Sequence, residues 1–327
     1  MRARRSILSV PATTPRFHEK ADGSVADMIV LDLEDSVAAS AKVAARQGVV
    51  DALCRHAYEG KVRSVRVNAV DTSWCLDDVR HVVEGAGERI DTIFLPKAEG
   101  ADQLNFLHHL LEQLEKRLRL PRRIGIELGI ETPAGIERLD EICSASDRTV
   151  ALHLGKGDLA ASTRMPGLTI GEESTTYPGD LWHYARVKIV LQARLHRQQA
   201  IEGPYARFRD EAGLRSLAGQ AAALGYDGKW AIHPAQLSAL NEIFSPRQEE
   251  FDRACAIVRA YAAATGEEAT GAVDIGGEMV DEATRKMAEV MVDRGRTAGM
   301  RESGVDAALF SAEEAAPAAP PCPSARR

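Results

Sequence analysis

Short apolar runs alternate along most of the chain with longer stretches whose apolar residues recur at helical spacing. The first run, Ser6 to Val10, is closed by Pro11. A helix is expected next, with Thr14 as N-cap and Pro15 at its first position. Asp27 to Asp35 is apolar until it ends in Asp32, Glu34 and Asp35. Lys42 to Tyr58 has helical spacing, Arg63 to Asn68 alternates with period two, and Leu76 to Gly85 is helical. Asp91 to Lys97 is another strand closing on a charge. Ala101 to Leu120 is an amphipathic helix with Leu104, Leu107, Leu111, Leu114 and Leu118 on one face. Ile124 to Glu131 ends on a carboxylate, and Thr132, Pro133 and Gly135 follow as a turn into a helix. The pattern recurs from Thr149 to Gly155, with Asp158 just beyond. Tyr184 to Gln198 is helical and Ala200 to Pro204 is a strand end. Glu211 to Leu224 is a helix stopped by Gly225, Lys229 to Pro234 a strand, and Phe251 to Ala264 a helix.

Eight short strands, each followed by a helix and nearly all ending on a polar residue, are the pattern of an α/β chain folded as a (β/α)8 TIM barrel. In that architecture the residues that end the strands share one mouth. An open doubly wound sheet would want a glycine-rich turn after the first strand, and Pro11 to Pro15 is not one. The barrel is expected to span residues 1–268. Residues 269–301 are too few to fold alone and are expected to pack on the barrel or a neighbouring subunit. Residues 302–327 are Ala/Pro-rich and expected to be disordered.

Composition narrows the class. The chain is 327 residues long, 45% hydrophobic and 5% aromatic, enough for a barrel-sized core. A net charge of −7 without a basic stripe argues against nucleic acid as a partner. No apolar run approaches the roughly 20 residues of a membrane span, and no apolar signal core follows Arg2, Arg4 and Arg5. The widely spaced Cys54, Cys75, Cys143, Cys255 and Cys322 suit a reducing cytoplasm and no zinc or disulfide framework.

The chemistry concentrates at strand ends. Glu131 and Asp158 suit Mg²⁺, which often takes one or two protein carboxylates and completes its shell with water and substrate oxygens. Alternatively Glu131 caps the following helix and Asp158 is a solvated turn acid. Arg66 can capture a substrate carboxylate or a developing alkoxide, or pair with Glu34 or Asp35, or both. Asp32, Glu34 and Asp35 are too many for one cation, so some orient waters or Arg66 around it; Lys97 does the same or is a rim charge. His233, before Pro234, reads as a structural residue more readily than as a general base.

Leu31 to Val37, Ser64 to Asn68, Phe94 to Lys97, Ile130 to Gly135 and Ile232 to Gln236 together resemble the HpcH/HpaI aldolase and citrate lyase beta-subunit family. Asp180 to Tyr184, Gly203 to Tyr205 with Asp210 and Glu211, Phe244 to Pro246 and Gly277 to Thr284 resemble its malyl-CoA lyase branch; the likeness covers about residues 4–297. The resemblance implies a Mg²⁺-dependent (Mn²⁺ as a substitute) barrel lyase that interconverts a malyl-type CoA thioester with acetyl-CoA or propionyl-CoA and a 2-oxo acid such as glyoxylate. It implies Glu131 and Asp158 as metal ligands and Arg66 as the residue that holds the keto acid. Asp281 is the implied acid-base group, delivered across an interface in a homotrimer or homohexamer. Phe17 and Lys20 are implied to help hold CoA. Glu202 and Arg207, around Gly203 and Pro204 of the expected acyl pocket, depart from the family pattern and leave the acyl group open. Competing expectations are a citrate lyase beta-type subunit, a citramalyl-CoA lyase, a CoA-independent aldolase, a malyl-CoA thioesterase and a non-catalytic binding barrel.

Overall fold

In the computed structural model, which describes residues 2–172, 177–267, 272–275 and 278–303, the apolar runs become a closed parallel barrel. In chain order it runs β1 (Ser6–Pro11), α1 (Pro15–Asp22), β2 (Met28–Asp32), α2 (Lys42–Arg55), β3 (Val62–Arg66), α3 (Cys75–Ala86), β4 (Thr92–Leu95) and α4 (Ala101–Leu118). It continues through β5 (Gly125–Ile130), α5 (Pro133–Glu137), α6 (Leu139–Ser144), β6 (Thr149–Leu154), α7 (Lys156–Ser162) and α8 (His183–Leu195). It ends with β7 (Gln199–Glu202), α9 (Glu211–Ala223), β8 (Gly228–Ala231) and α10 (Leu237–Ile243). Each strand pairs with its neighbour in sequence, and β1 closes on β8 through Ser6 opposite Lys229, Ile7 opposite Trp230 and Leu8 opposite Ala231. The expected (β/α)8 barrel is the observed fold.

Two apolar layers hold it. One fills the space between barrel and helices. There Leu104, Leu107, Leu111 and Leu114 of α4 are buried against the strands, as their spacing requires. The other lies inside the barrel, built from Ile7, Met28, Val30, Val62, Phe94, Ala151, Ile201 and Trp230. Helix ends follow local chemistry. Thr132 caps α5 by accepting from the Gly135 N–H, and Asp210 caps α9 by accepting from the Gly213 N–H. Thr14 stands at the N-cap of α1 as expected, but its hydroxyl makes no capping bond. Gly225, at φ +100°, lets the chain turn back after α9.

Residues 245–303 belong to a second compact unit. The division falls after Phe244 rather than near residue 268. Helix α11 (Gln248–Glu267) packs on α12 (Glu282–Thr297) through Phe251, Ala254, Cys255, Ala288 and Val292. Short α10 thus takes the place after β8 that the sequence pattern gave to α11. Strands β9 (Ala272–Ile275) and β10 (Glu278–Asp281) pair antiparallel between the two helices in sequence. The Ala/Pro-rich tail lies, from residue 304 on, outside the described residues, as do Cys322 and Gly277. Among the described residues no helix is long and apolar enough to cross a membrane.

Leu107 is fully buried against the barrel, so Leu107→Ala should lower unfolding free energy by about 2–5 kcal/mol. Urea denaturation of the full chain measures this.

Candidate metal and substrate site at the barrel mouth

Because all eight strands are parallel, the residues that follow them meet at one rim. A cavity opens there, lined among others by Arg66, Glu131, Asp158, Phe94, His153 and Trp230. Glu131 follows β5 and is buried at 5% exposure. It does not cap α5; Thr132 does. Two glycines make room for its carboxylate: a Cβ on Gly155 would stand 2.2 Å from Oε2, and one on Gly129 would stand 2.9 Å from Oε1. The Lys97 backbone N–H donates to Oε1 at 2.7 Å. Burial, reinforced by Glu34 and Asp158 and only partly offset by Lys97, pushes the Glu131 pKa up to about 7.

Asp158 is not at a strand end but in the first turn of α7, which starts directly after β6. It is more exposed than Glu131, and its Oδ1 lies 3.5 Å from the Lys97 Nζ. The same Nζ lies 2.5 Å from Glu34 Oε1. Glu34 is buried, and desolvation raises its pKa despite Arg66 and Lys97. Its Oε2 lies 3.0 Å from Arg66 Nη1 but has no aligned hydrogen-bond donor.

The firm partner of Arg66 is Asp32 rather than Glu34 or Asp35. Nε and Nη2 each donate to the Asp32 carboxylate at 2.7 Å, a bidentate clamp at adjacent positions of β2 and β3. Burial would raise the Asp32 pKa, but Arg66, the Ser36 side chain and the Glu34 N–H overcome it and hold the carboxyl below its ordinary range. Asp35 is exposed and reaches Arg66 only at 3.6 Å. Arg66 also lies over the Trp230 ring at 5.6 Å.

Below these charges is an aromatic floor that the sequence reading did not mark. Phe94, His153 and Trp230 meet edge to face, with centroids 4.8 to 5.8 Å apart. Trp230 Nε1–H donates to His153 Nδ1 at 2.8 Å, which leaves Nε2–H to donate to Glu127 at 2.6 Å. Burial lowers the His153 pKa, so the ring is a neutral strut and not a base. Glu127, held to about 2 against its burial by Arg4 and His153, anchors the stack. The available signal was a polar residue in the middle of each of two apolar strands, β5 and β6.

Glu202, next to Gly203 and Pro204 of the expected acyl pocket, is not among the residues lining the cavity. It is fully buried, 2.5 Å from Lys156 Nζ and 3.1 Å from Arg186 Nε, and Lys229 donates to the next carbonyl, Gly203. Arg207 pairs with Glu172 at the surface. Pro204 lines the cavity; Gly203 sits behind it, where a Cβ would stand 2.4 Å from the Leu154 carbonyl oxygen. Phe17 and Lys20 are exposed on α1, just after β1 and outside the cavity lining. His233 is structural, as expected: its Nδ1 accepts from the Ala235 N–H and its ring stacks on Phe208 at 4.6 Å. Asp281 belongs to the second unit, where it caps α12. Bonds from the Thr284 N–H (2.9 Å) and Oγ1 (3.1 Å) hold its carboxyl below the ordinary range.

The mouth fits a hard divalent cation. Glu131, buried with the Lys97 backbone N–H as its hydrogen-bond donor, and Asp158, one strand away and part-exposed, offer carboxylate oxygens to such an ion. Glu34 is already flanked by Lys97 and Arg66. On α4, ligand atoms of His108, His109 and Glu112 also lie within 4.8 Å of one another. There, however, Glu112 is taken by Lys116 at 2.8 Å and His108 by Ser146 at 2.7 Å, which makes the mouth the better candidate.

Comparison with known proteins agrees in fold and family. The family model for HpcH/HpaI aldolase/citrate lyase matches residues 5–234. An L-malyl-CoA/beta-methylmalyl-CoA lyase of Cereibacter sphaeroides is 37% identical over 89% of this chain and 94% of its own. The citrate lyase subunit beta of Escherichia coli is 34% identical over 92% and 96%. Among solved structures, CitE from Mycobacterium tuberculosis, in complex with magnesium, acetoacetate and coenzyme A, superposes with a TM-score of 0.69 at 29% identity. That match covers 90% of this chain and 98% of CitE.

The raised Glu131 pKa has two measurable consequences of opposite sign. In EDTA the fold should lose stability as pH rises from about 4.5 through about 7, because the charged form is disfavoured in the folded state. Glu131→Gln should remove that loss and melt several degrees above wild type at pH 8 but not at pH 4.5. Divalent-cation affinity should instead rise about tenfold per pH unit up to about pH 7 and then level, because the cation must displace a proton. Thermal unfolding and calorimetric titration read the two effects.

Proposed function

This chain belongs to the HpcH/HpaI aldolase/citrate lyase family, and from that premise we propose a Mg²⁺-dependent carbon–carbon lyase acting on a malyl-type CoA thioester. The products are acetyl-CoA or propionyl-CoA and a 2-oxo acid such as glyoxylate; the reverse condensation uses the same groups. The observation that carries the reading is the buried Glu131 carboxylate beside Asp158 at a barrel mouth. Glu131 and Asp158 would hold the cation, which when bound supplies Lewis-acid polarisation of the substrate's oxygen.

The chain's own groups do the rest. Arg66, fixed along one edge by Asp32, keeps N–H groups for the substrate and places positive charge where an alkoxide develops. As the carbon–carbon bond breaks, its electrons move onto the thioester as an enolate. The Phe94–His153–Trp230 floor keeps water from below, which protects that enolate from unwanted protonation. Asp281, brought as a lid from a neighbouring subunit of a homotrimer or homohexamer and kept ionised by its capping bonds, takes up the substrate's hydroxyl proton as the new carbonyl forms and returns it to the enolate carbon. Lys20 and Phe17, at the rim after β1, suit the phosphates and the adenine of CoA. The free cysteines of the described residues suit a reducing cytoplasm.

The test is product identity. With malyl-CoA, β-methylmalyl-CoA or citramalyl-CoA, the purified full chain should give a 2-oxo acid and a shortened acyl-CoA with Mg²⁺ and nothing with EDTA. Malate and free CoA would instead mark a thioesterase. The likeness to citrate lyase subunit beta favours one second reading, a subunit whose thioester rides on a carrier; turnover of free CoA thioester without a partner excludes it. Asp281→Asn should cut turnover by about 10²–10⁴ while leaving Mg²⁺ affinity unchanged. A loss under about threefold would remove Asp281 from the mechanism.

A further inference from the structure

Lys97 is built into the mouth in an unusual way. It follows Pro96 at the end of β4 with φ +49°, a left-handed conformation that non-glycine residues seldom adopt. The chain is pinned there by the Ala98 N–H, which donates to the Gly129 carbonyl at 3.0 Å. The twist lets one residue address the acids from two directions. Its backbone N–H bonds Glu131 at 2.7 Å. Its ammonium crosses to Glu34 Oε1 at 2.5 Å, Asp158 Oδ1 at 3.5 Å and Asp35 Oδ1 at 3.9 Å. Strain of this kind persists where surrounding structure over-determines it, and it concentrates at functional sites.

Taking Glu131 and Asp158 as the cation ligands proposed above, we infer that Lys97 is an internal competitor for the divalent cation and sets the affinity of the site. The reasoning is electrostatic. A cation bound to Asp158 at about 2.1 Å would stand close to an ammonium 3.5 Å from the same carboxylate. The two repel, and both draw on Glu34 and Asp158 for compensation. Binding therefore requires the ammonium to withdraw. Its side chain is 31% exposed and its four-carbon stem is flexible, so it can do so without unfolding the rim. Arg66 cannot play this part, because Asp32 clamps it and its side chain is only 13% exposed. Lys97 thus holds the acids together until a cation arrives, at the cost of weaker cation binding.

The sign of the effect tests this. A residue that merely supports the site would weaken cation binding when altered; a competitor would strengthen it. Mn²⁺ binding to the full chain, followed by the EPR signal of free Mn²⁺ without substrate, should be about tenfold tighter or more in Lys97→Met than in wild type. That is the scale on which a like charge within about 4–6 Å acts. Lys97→Gln serves as a second neutral variant should the first fail to fold, and Lys97→Arg, which keeps the charge, should stay near wild type. Mn²⁺ should also raise the melting temperature more in the neutral variants. Unchanged or weaker binding in both neutral variants overturns the inference, with the metal site intact if Glu131→Gln still abolishes binding. If wild type and Glu131→Gln bind Mn²⁺ alike, or neither binds, the ligand assignment itself fails and this inference falls with it.

Discussion

A carboxylate taken out of water needs positive charge brought to it, and the mouth of this barrel is arranged around that requirement. The parallel barrel delivers Asp32, Glu34, Asp35, Glu131 and Asp158 to one rim, against Arg66 and Lys97. The charges are not shared evenly. Asp32 takes the fork of Arg66, Glu34 lies between Arg66 and Lys97, and Glu131 is left with a backbone N–H and a pKa near neutrality. That imbalance supports Glu131 and Asp158 as the proposed ligands, with Asp32 as the brace of Arg66.

Below the rim, buried polar groups hold the scaffold. One set runs from Arg4 through Glu127 and His153 to Trp230 and sets the height and tilt of the cavity floor. The other joins Glu202 to Lys156 and Arg186, with Lys229 on the neighbouring carbonyl, and ties β7 and β8 to the turn that starts α7. Asp158 is two residues from Lys156, so this second set positions a proposed ligand without touching it. Breaking one member of such a buried set costs more than the pair itself contributes, because the remaining charges stay buried and unpaired.

The barrel was legible because its evidence is repetitive: an apolar run, a polar stop, a helical stretch, eight times over. The mouth was legible for the same reason, since acids that stop apolar runs must share a rim once the strands are parallel. What could not be read depends on contacts between distant residues. The choice of Asp32 over Glu34 as the clamp of Arg66 follows from the register of β2 against β3. The floor requires Phe94, His153 and Trp230 to point inward together from three strands. Glu202 looked like a pocket residue beside Gly203 and Pro204, and only the lysines of other elements turn it into an anchor. The left-handed twist of Lys97 has no signature in Leu-Pro-Lys-Ala. The boundary after Phe244 depends on α11 preferring α12, which periodicity alone does not reveal.

The central claim is that Glu131 and Asp158 bind one Mg²⁺ at the barrel mouth, with the 2-oxo acid between that ion and Arg66. A crystal structure of the full chain grown with Mg²⁺ and glyoxylate or pyruvate tests it directly. The account predicts one ion at about 2.0–2.1 Å from an oxygen of each carboxylate, with near-octahedral geometry, and the oxo acid within hydrogen-bonding reach of Arg66. An ion found instead at His108, His109 and Glu112, or an oxo acid bound at the mouth with no ion between the two acids, would contradict it.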